Sequence, residues 1–93
     1  MDFGRALIAL QEGKKVQRHG WNGKGMWLIL IPGSTVKVEA GRPFGAGFPA
    51  EAVVTYHPHI DMKAVDGTVF CWNPNQLDML AEDWEVLRSP TIS

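Results

Sequence analysis

The sequence predicts an α+β fold: a small, mainly antiparallel twisted β-sheet with an N-terminal helix and a short C-terminal helix, all in one domain. Three observations predict it. Apolar residues recur at helical spacing at the start of the chain, short β-rich runs between Pro-Gly and Asp-Gly turns fill the middle, and a second helix signature begins near residue 73. The 93 residues make a single domain, 1–93. A chain of this size buries roughly 60–65% of its unfolded surface, so its core is thin and self-association would help it.

In the first element, Asp2 caps a helix whose apolar positions Phe3, Ala6, Leu7 and Leu10 fall on one face, and Gly13 ends it. Lys15 to Arg18 reads as a short strand leading into HGWNGKGMW, residues 19 to 27. Met26 to Ile31 is an unbroken apolar run, expected as a central strand buried on both faces. Pro32-Gly33 turns the chain, and Val36 and Val38 alternate with Lys37 and Glu39 as a half-exposed strand. Residues 40–50 form a Gly/Pro/Ala loop whose Phe44 and Phe48 call for a packing partner such as another subunit; residues 88–93 read as a tail. There is no internal repeat.

Asp66-Gly67 signals a two-residue hairpin, which places Val65 opposite Thr68. That register pairs Met62 with Cys71 and Ala64 with Val69 on an apolar face. It pairs Asp61 with Trp72 and Lys63 with Phe70 on a mixed face suited to recognition. Beyond it, Asn73 is the expected cap, Pro74 the first helical residue and Gln76 the closer of a capping box. Leu77, Leu80, Ala81 and Trp84 then form the buried stripe, with Trp84 in the core and Asp78 in the first turn.

Composition narrows the function. A net charge of −1 argues against non-specific nucleic-acid binding. No apolar run approaches the ~20 residues of a membrane helix and no leader precedes the first helix, so the expected location is cytoplasmic. A single cysteine, Cys71, leaves neither an intramolecular disulfide framework nor a Cys-based zinc site in view. Residues 1–42 carry seven Lys/Arg against three Asp/Glu, and residues 43–93 two against seven, so an anionic ligand would meet the first half.

The residues offer contacts to a flat ring, to hydroxyls and to an anionic group. Trp21 and Trp72 can stack on a base, Gly23 and Gly25 let backbone approach a ligand, and Asp61 can accept from ribose hydroxyls. Lys24 and His59 can meet phosphate oxygens with help from the N–H groups of the Asn22 to Gly25 turn. For each there is a plain alternative: a turn for Asn22-Gly23, packing for the indoles, dipole compensation for Asp78 and solvated faces for the charges.

An N-terminal helix followed by GKKV, GWNGKGM, a strand ending in PGS, PHIDMKAVDGTV and WNPNQLDMLAEDW together resemble the second family of Thoeris anti-defence proteins. Leu77 stands where a small polar residue is expected, and His57 lies outside the motif. The resemblance covers nearly the whole chain except the 39–52 loop and the tail. It implies a phage protein acting in the host bacterial cytoplasm. Such a protein sequesters cyclic ADP-ribose-type signals, and in some members cyclic oligonucleotides, without degrading them, as a homo-oligomer pointing to a tetramer built from dimers. The expected ligand-binding set is Trp21, Asn22, Gly23, Lys24, Met26, His59, Asp61, Trp72 and Asp78, with no catalytic residue, cofactor, metal, nucleic acid or membrane. The alternatives are a metal-dependent hydrolase using His57, His59 and Asp61, which recur at i, i+2, i+4 on one strand face, and a structural oligomerisation module.

Overall fold

A computed structural model describes residues 1–21, 25–37 and 52–87. The Asp2 carboxylate accepts the Arg5 N–H at 2.9 Å and opens helix α1, Phe3–Gln11, which stops before Gly13 at φ 85°. Strands β1 (Val16–Arg18), β2 (Trp27–Ile31), β3 (Ser34–Lys37), β4 (Val53–Tyr56), β5 (His59–Lys63), β6 (Val69–Cys71) and β7 (Trp84–Val86) follow, with a 3-10 turn at His19–Trp21 and helix α2 at Gln76–Leu80. Five strands form one sheet in the order β6-β5-β2-β1-β7, every neighbouring pair antiparallel, while β3 and β4 form a separate two-stranded ribbon. The predicted α+β class is the observed one.

The register decides which residues meet α1. Val16 pairs with Leu28 and Leu28 with Met62. These three, with Trp84, close on Ala6, Ala9 and Leu10 of the helix as the buried core. The alternate residues Gln17, Trp27, Ile29, Ile31, His59, Asp61 and Lys63 therefore face away from it. The central position expected for the Met26 to Ile31 run is observed, but burial on both faces is not: Leu28 is fully buried, whereas Trp27, Ile29 and Ile31 are half-buried. Both described helices lie on the Leu28 side.

The hairpin differs from its expected form by one residue. Gly67 donates its N–H to the Ala64 carbonyl at 3.0 Å and Ala64 donates to the Thr68 carbonyl at 2.8 Å, which closes a three-residue loop at 65–67 with Gly67 at φ 89°. A type I turn followed by a left-handed glycine forms this arrangement. Asp66 favours it, because its carboxylate accepts both the N–H of Thr68 at 3.0 Å and its hydroxyl at 2.7 Å. Asp61 thus pairs with Cys71, Met62 with Phe70 and Lys63 with Val69. Trp72, whose N–H donates to the Ile60 carbonyl at 2.9 Å, stands on the helix side, not beside Asp61.

The C-terminal segment also departs from expectation. Asn75, not Asn73, is the cap, and Asp78, not Gln76, closes the capping box. The helix ends at Leu80, with Leu77 and Leu80 exposed at 77% each. Trp84 is core, as expected, but it arrives there on a strand. Its N–H donates to the Met1 carbonyl at 3.0 Å, and β7 pairs along β1, so tertiary pairing overrides the helical periodicity of 77–84. Val38, the 40–50 loop with Phe44 and Phe48, and the 88–93 tail lie outside the described residues. Among the described residues no helix is long and apolar enough to cross a membrane.

Candidate functional site

On the helix side of the sheet, Trp84 is the hub of an aromatic group. It lies edge-on to Trp21 at 5.6 Å between centroids and to Trp72 at 6.0 Å, with Phe3 at 5.4 Å. Trp84 is 1% exposed and donates its Nε1–H to the Asp78 carbonyl at 2.9 Å, whereas Trp21 and Trp72 are half-buried. Two indoles are thus braced from behind by a third, in geometry that aromatic pairs favour. Met26 packs against the same core.

The turn that carries Trp21 is pinned by charge. Arg18 donates from Nε to Asp83 Oδ1 at 2.8 Å and from Nη1 to Asp78 Oδ1 at 3.1 Å, while Asp83 Oδ2 accepts the Gly20 N–H at 2.9 Å and the Asp83 carbonyl accepts that of His19. Both oxygens of the buried Asp78 are engaged, since Oδ2 accepts from the Asn75 N–H. The hydrogen bond with Arg18 is the foremost cause holding the Asp83 carboxyl below its ordinary range; the same bond leads the causes raising Arg18 further above its own.

That shift sets a pH dependence. An unfolded Asp83 takes up its proton first as pH falls. Its stabilisation is therefore complete above the unfolded value of about 3.9 and is lost as pH drops through the lower folded value. Wild-type protein is expected to lose melting temperature in that acid window. Asp83→Asn should melt lower at neutral pH and decline less steeply in acid, Asp66 supplying the remaining slope through its own depressed pKa. Thermal melts across the window check this; parallel curves for the two proteins would show that the pair contributes nothing.

The opposite face of the sheet mixes apolar and polar groups. Lys15 Nζ lies 4.4 Å from the centre of the Trp27 ring, Gln17 donates to Glu85 at 3.0 Å, and Lys63 Nζ donates to the Gly25 carbonyl at 2.9 Å. His59 Nε2 lies 3.5 Å from Asp61 Oδ1, and Cys71 stands across from Asp61.

The expected site residues therefore fall into two groups. Trp21, Met26, Trp72 and Asp78 gather on the helix side around Trp84 and Arg18. His59 and Asp61 lie on the other face with Lys63 and Cys71. Asn22, Gly23 and Lys24 lie outside the described residues. Sequence reasoning missed Arg18 and Asp83 as the pair that positions the Trp21 turn, and nothing local in either residue's neighbourhood announces a contact across 65 positions. It missed Cys71 because of the hairpin register.

Comparison with known proteins places these observations in context. Residues 1–87 match the Thoeris anti-defense 2-like domain. The chain is similar to Thoeris anti-defense 2 of Bacillus phage SP01, 39% identical over 87 residues that cover 94% of each chain.

Proposed function

Because the chain belongs to the Thoeris anti-defense 2 family, and so has a phage anti-defence role, we propose that it works by binding cyclic ADP-ribose-type signals in the host cytoplasm and holding them without degradation. Cyclic oligonucleotides are a second ligand class for the same activity. The observation that carries this reading is the pair of half-buried indoles, Trp21 and Trp72, each braced edge-on by the buried Trp84. A ring that is already immobilised loses little freedom when a base stacks on it. The Asn22 to Lys24 segment follows Trp21 directly and supplies a cation and backbone N–H groups for phosphate.

The ligand is enclosed by more than one copy of the chain. His59 and Asp61 face away from the helices whereas Trp21 and Trp72 face toward them, so one chain cannot close both groups on one molecule. A second copy can. Two surfaces are suited to that contact: the half-buried row Trp27, Ile29 and Ile31, and the β3–β4 ribbon, on which Val36, Val53 and Tyr56 are exposed at 42, 67 and 43%. Among the described residues this ribbon has two strands, an arrangement that is marginal in water and gains stability from packing. A tetramer built from dimers satisfies both surfaces.

The hydrolase reading fares less well. His57 is exposed, Pro58 interrupts the strand, and His57 meets His59 through its backbone carbonyl, 3.2 Å from Nδ1, instead of through its ring. The decisive experiment is a titration with a cyclic ADP-ribose isomer followed by denaturation and mass spectrometry. The isomer is expected back intact, with a break where binding sites equal ligand. Conversion to a linear product over many turnovers would overturn sequestration.

A further inference from the structure

The hairpin register brings three metal-binding side chains together on the outer face of the sheet. His59, Asp61 and Cys71 each offer a ligand atom, and these atoms all lie within 4.8 Å of one another. We propose that His59, Asp61 and Cys71 form a binding site for a thiophilic divalent cation, zinc above all, which ties edge strand β6 to β5.

Four features point to it. A tetrahedral zinc with bonds of about 2.0–2.3 Å holds its ligand atoms about 3.3–3.8 Å apart. His59 Nε2 and Asp61 Oδ1 already stand at 3.5 Å, and the exposed Cys71 needs only a small side-chain movement to join them. Second, the Nδ1 of His59 lies 3.2 Å from the His57 carbonyl. That bond requires the proton on Nδ1, so in the neutral imidazole it is the Nε2 lone pair that faces the cluster, the arrangement by which backbone carbonyls fix metal-ligating histidines.

Third, a lone pair and a carboxylate oxygen 3.5 Å apart repel unless a positive charge lies between them. The nearest ammonium along the strand, Lys63, is turned to the Gly25 carbonyl at 2.9 Å. A metal ion placed between them would be held by both groups, with the Cys71 thiol as a third donor. Fourth, the neighbours across β2 are Ile29 and Ile31, opposite Asp61 and His59; their apolar surface strengthens charge interactions at the site. The ligand set of one imidazole, one carboxylate and one thiolate suits zinc or cobalt and not magnesium or calcium. On binding, the Cys71 thiol releases its proton to solvent and water completes the coordination.

Cobalt(II) makes the site visible. Metal-free wild-type protein titrated with cobalt(II) is expected to develop a thiolate-to-cobalt charge-transfer band and tetrahedral ligand-field bands, saturating at one ion per chain and displaced by zinc. Cys71→Ser should abolish the charge-transfer band. His59→Gln and Asp61→Asn should weaken zinc at least tenfold, and His57→Gln should leave it unchanged. Zinc should also raise the melting temperature of the wild type and slow alkylation of Cys71 by iodoacetamide, a readout that needs no variant to fold. No charge-transfer band at stoichiometric cobalt, equal loss in His57→Gln and His59→Gln, or alkylation indifferent to zinc would each overturn the proposal. Sequestration of a nucleotide is measured separately in zinc-free buffer, so the two readings fail independently.

Discussion

Trp84→Ala is expected to lower folding stability by about 3–5 kcal/mol. The side chain is 1% exposed and touches Phe3, Trp21 and Trp72, so its loss opens a cavity shared by three aromatic rings and removes a bond to the Asp78 carbonyl. The surroundings cannot collapse to fill it, because Trp21 is held by the Arg18–Asp83 pair and Trp72 by its bond to Ile60. Domains of this size have roughly 5–15 kcal/mol in total, so the variant should be largely unfolded at moderate urea. Trp84→Phe keeps most of the ring volume and loses mainly the Nε1–H bond, and should cost about 1–3 kcal/mol. Urea denaturation with a constant slope measures both. A loss below about 1 kcal/mol in the alanine variant would remove Trp84 from its place as hub.

Trp21→Ala and Trp72→Ala should each weaken binding of the cyclic nucleotide by about 1–3 kcal/mol, the contribution of one base stacked on one ring. That corresponds to roughly fivefold to 150-fold in dissociation constant. Since both rings also pack on Trp84, circular dichroism and a melt must show the variants folded before affinity is compared. Calorimetry with a cyclic ADP-ribose isomer gives the number. Folded variants that bind as tightly as wild type would dismiss the indoles as platforms and leave them as packing residues.

Much of the fold is legible in the sequence wherever the signal is local. Asp2 and Gly13 bracket α1 because a cap and a left-handed glycine act within one turn. The apolar run at 26–31 sits at the sheet centre because hydrophobicity alone selects that position. Legibility fails where two local solutions compete and distant pairing decides between them. Asp66-Gly67 serves a two-residue or a three-residue loop equally well, and the bonds from Thr68 to Asp66 select the longer one. That choice moves Trp72 to the helix side and Cys71 to the outer face. Leu77, Leu80, Ala81 and Trp84 have helical spacing, yet β1 offers Trp84 a strand partner 66 positions away. For the candidate site, the residue types were readable, but their division between two faces depends on that register.

The pairing of β1 with β7 joins Val16 to Val86, and the largest fully buried side chain among the described residues, Trp84, stands 66 positions after its strand partner Arg18. While the ribosome is still adding residues, α1, β1 and β2 carry apolar surface whose cover, Trp84, has not yet been made. The core can close only after that residue has emerged from the ribosome. Contacts of such long sequence separation also place the chain among slower folders, on the order of milliseconds to seconds. Until it folds, each newly made copy exposes strand edges to its neighbours, and a cell producing many copies at once holds a population of sticky chains. The rate of synthesis, as well as the strength of the core, therefore governs how much of this protein reaches its native state.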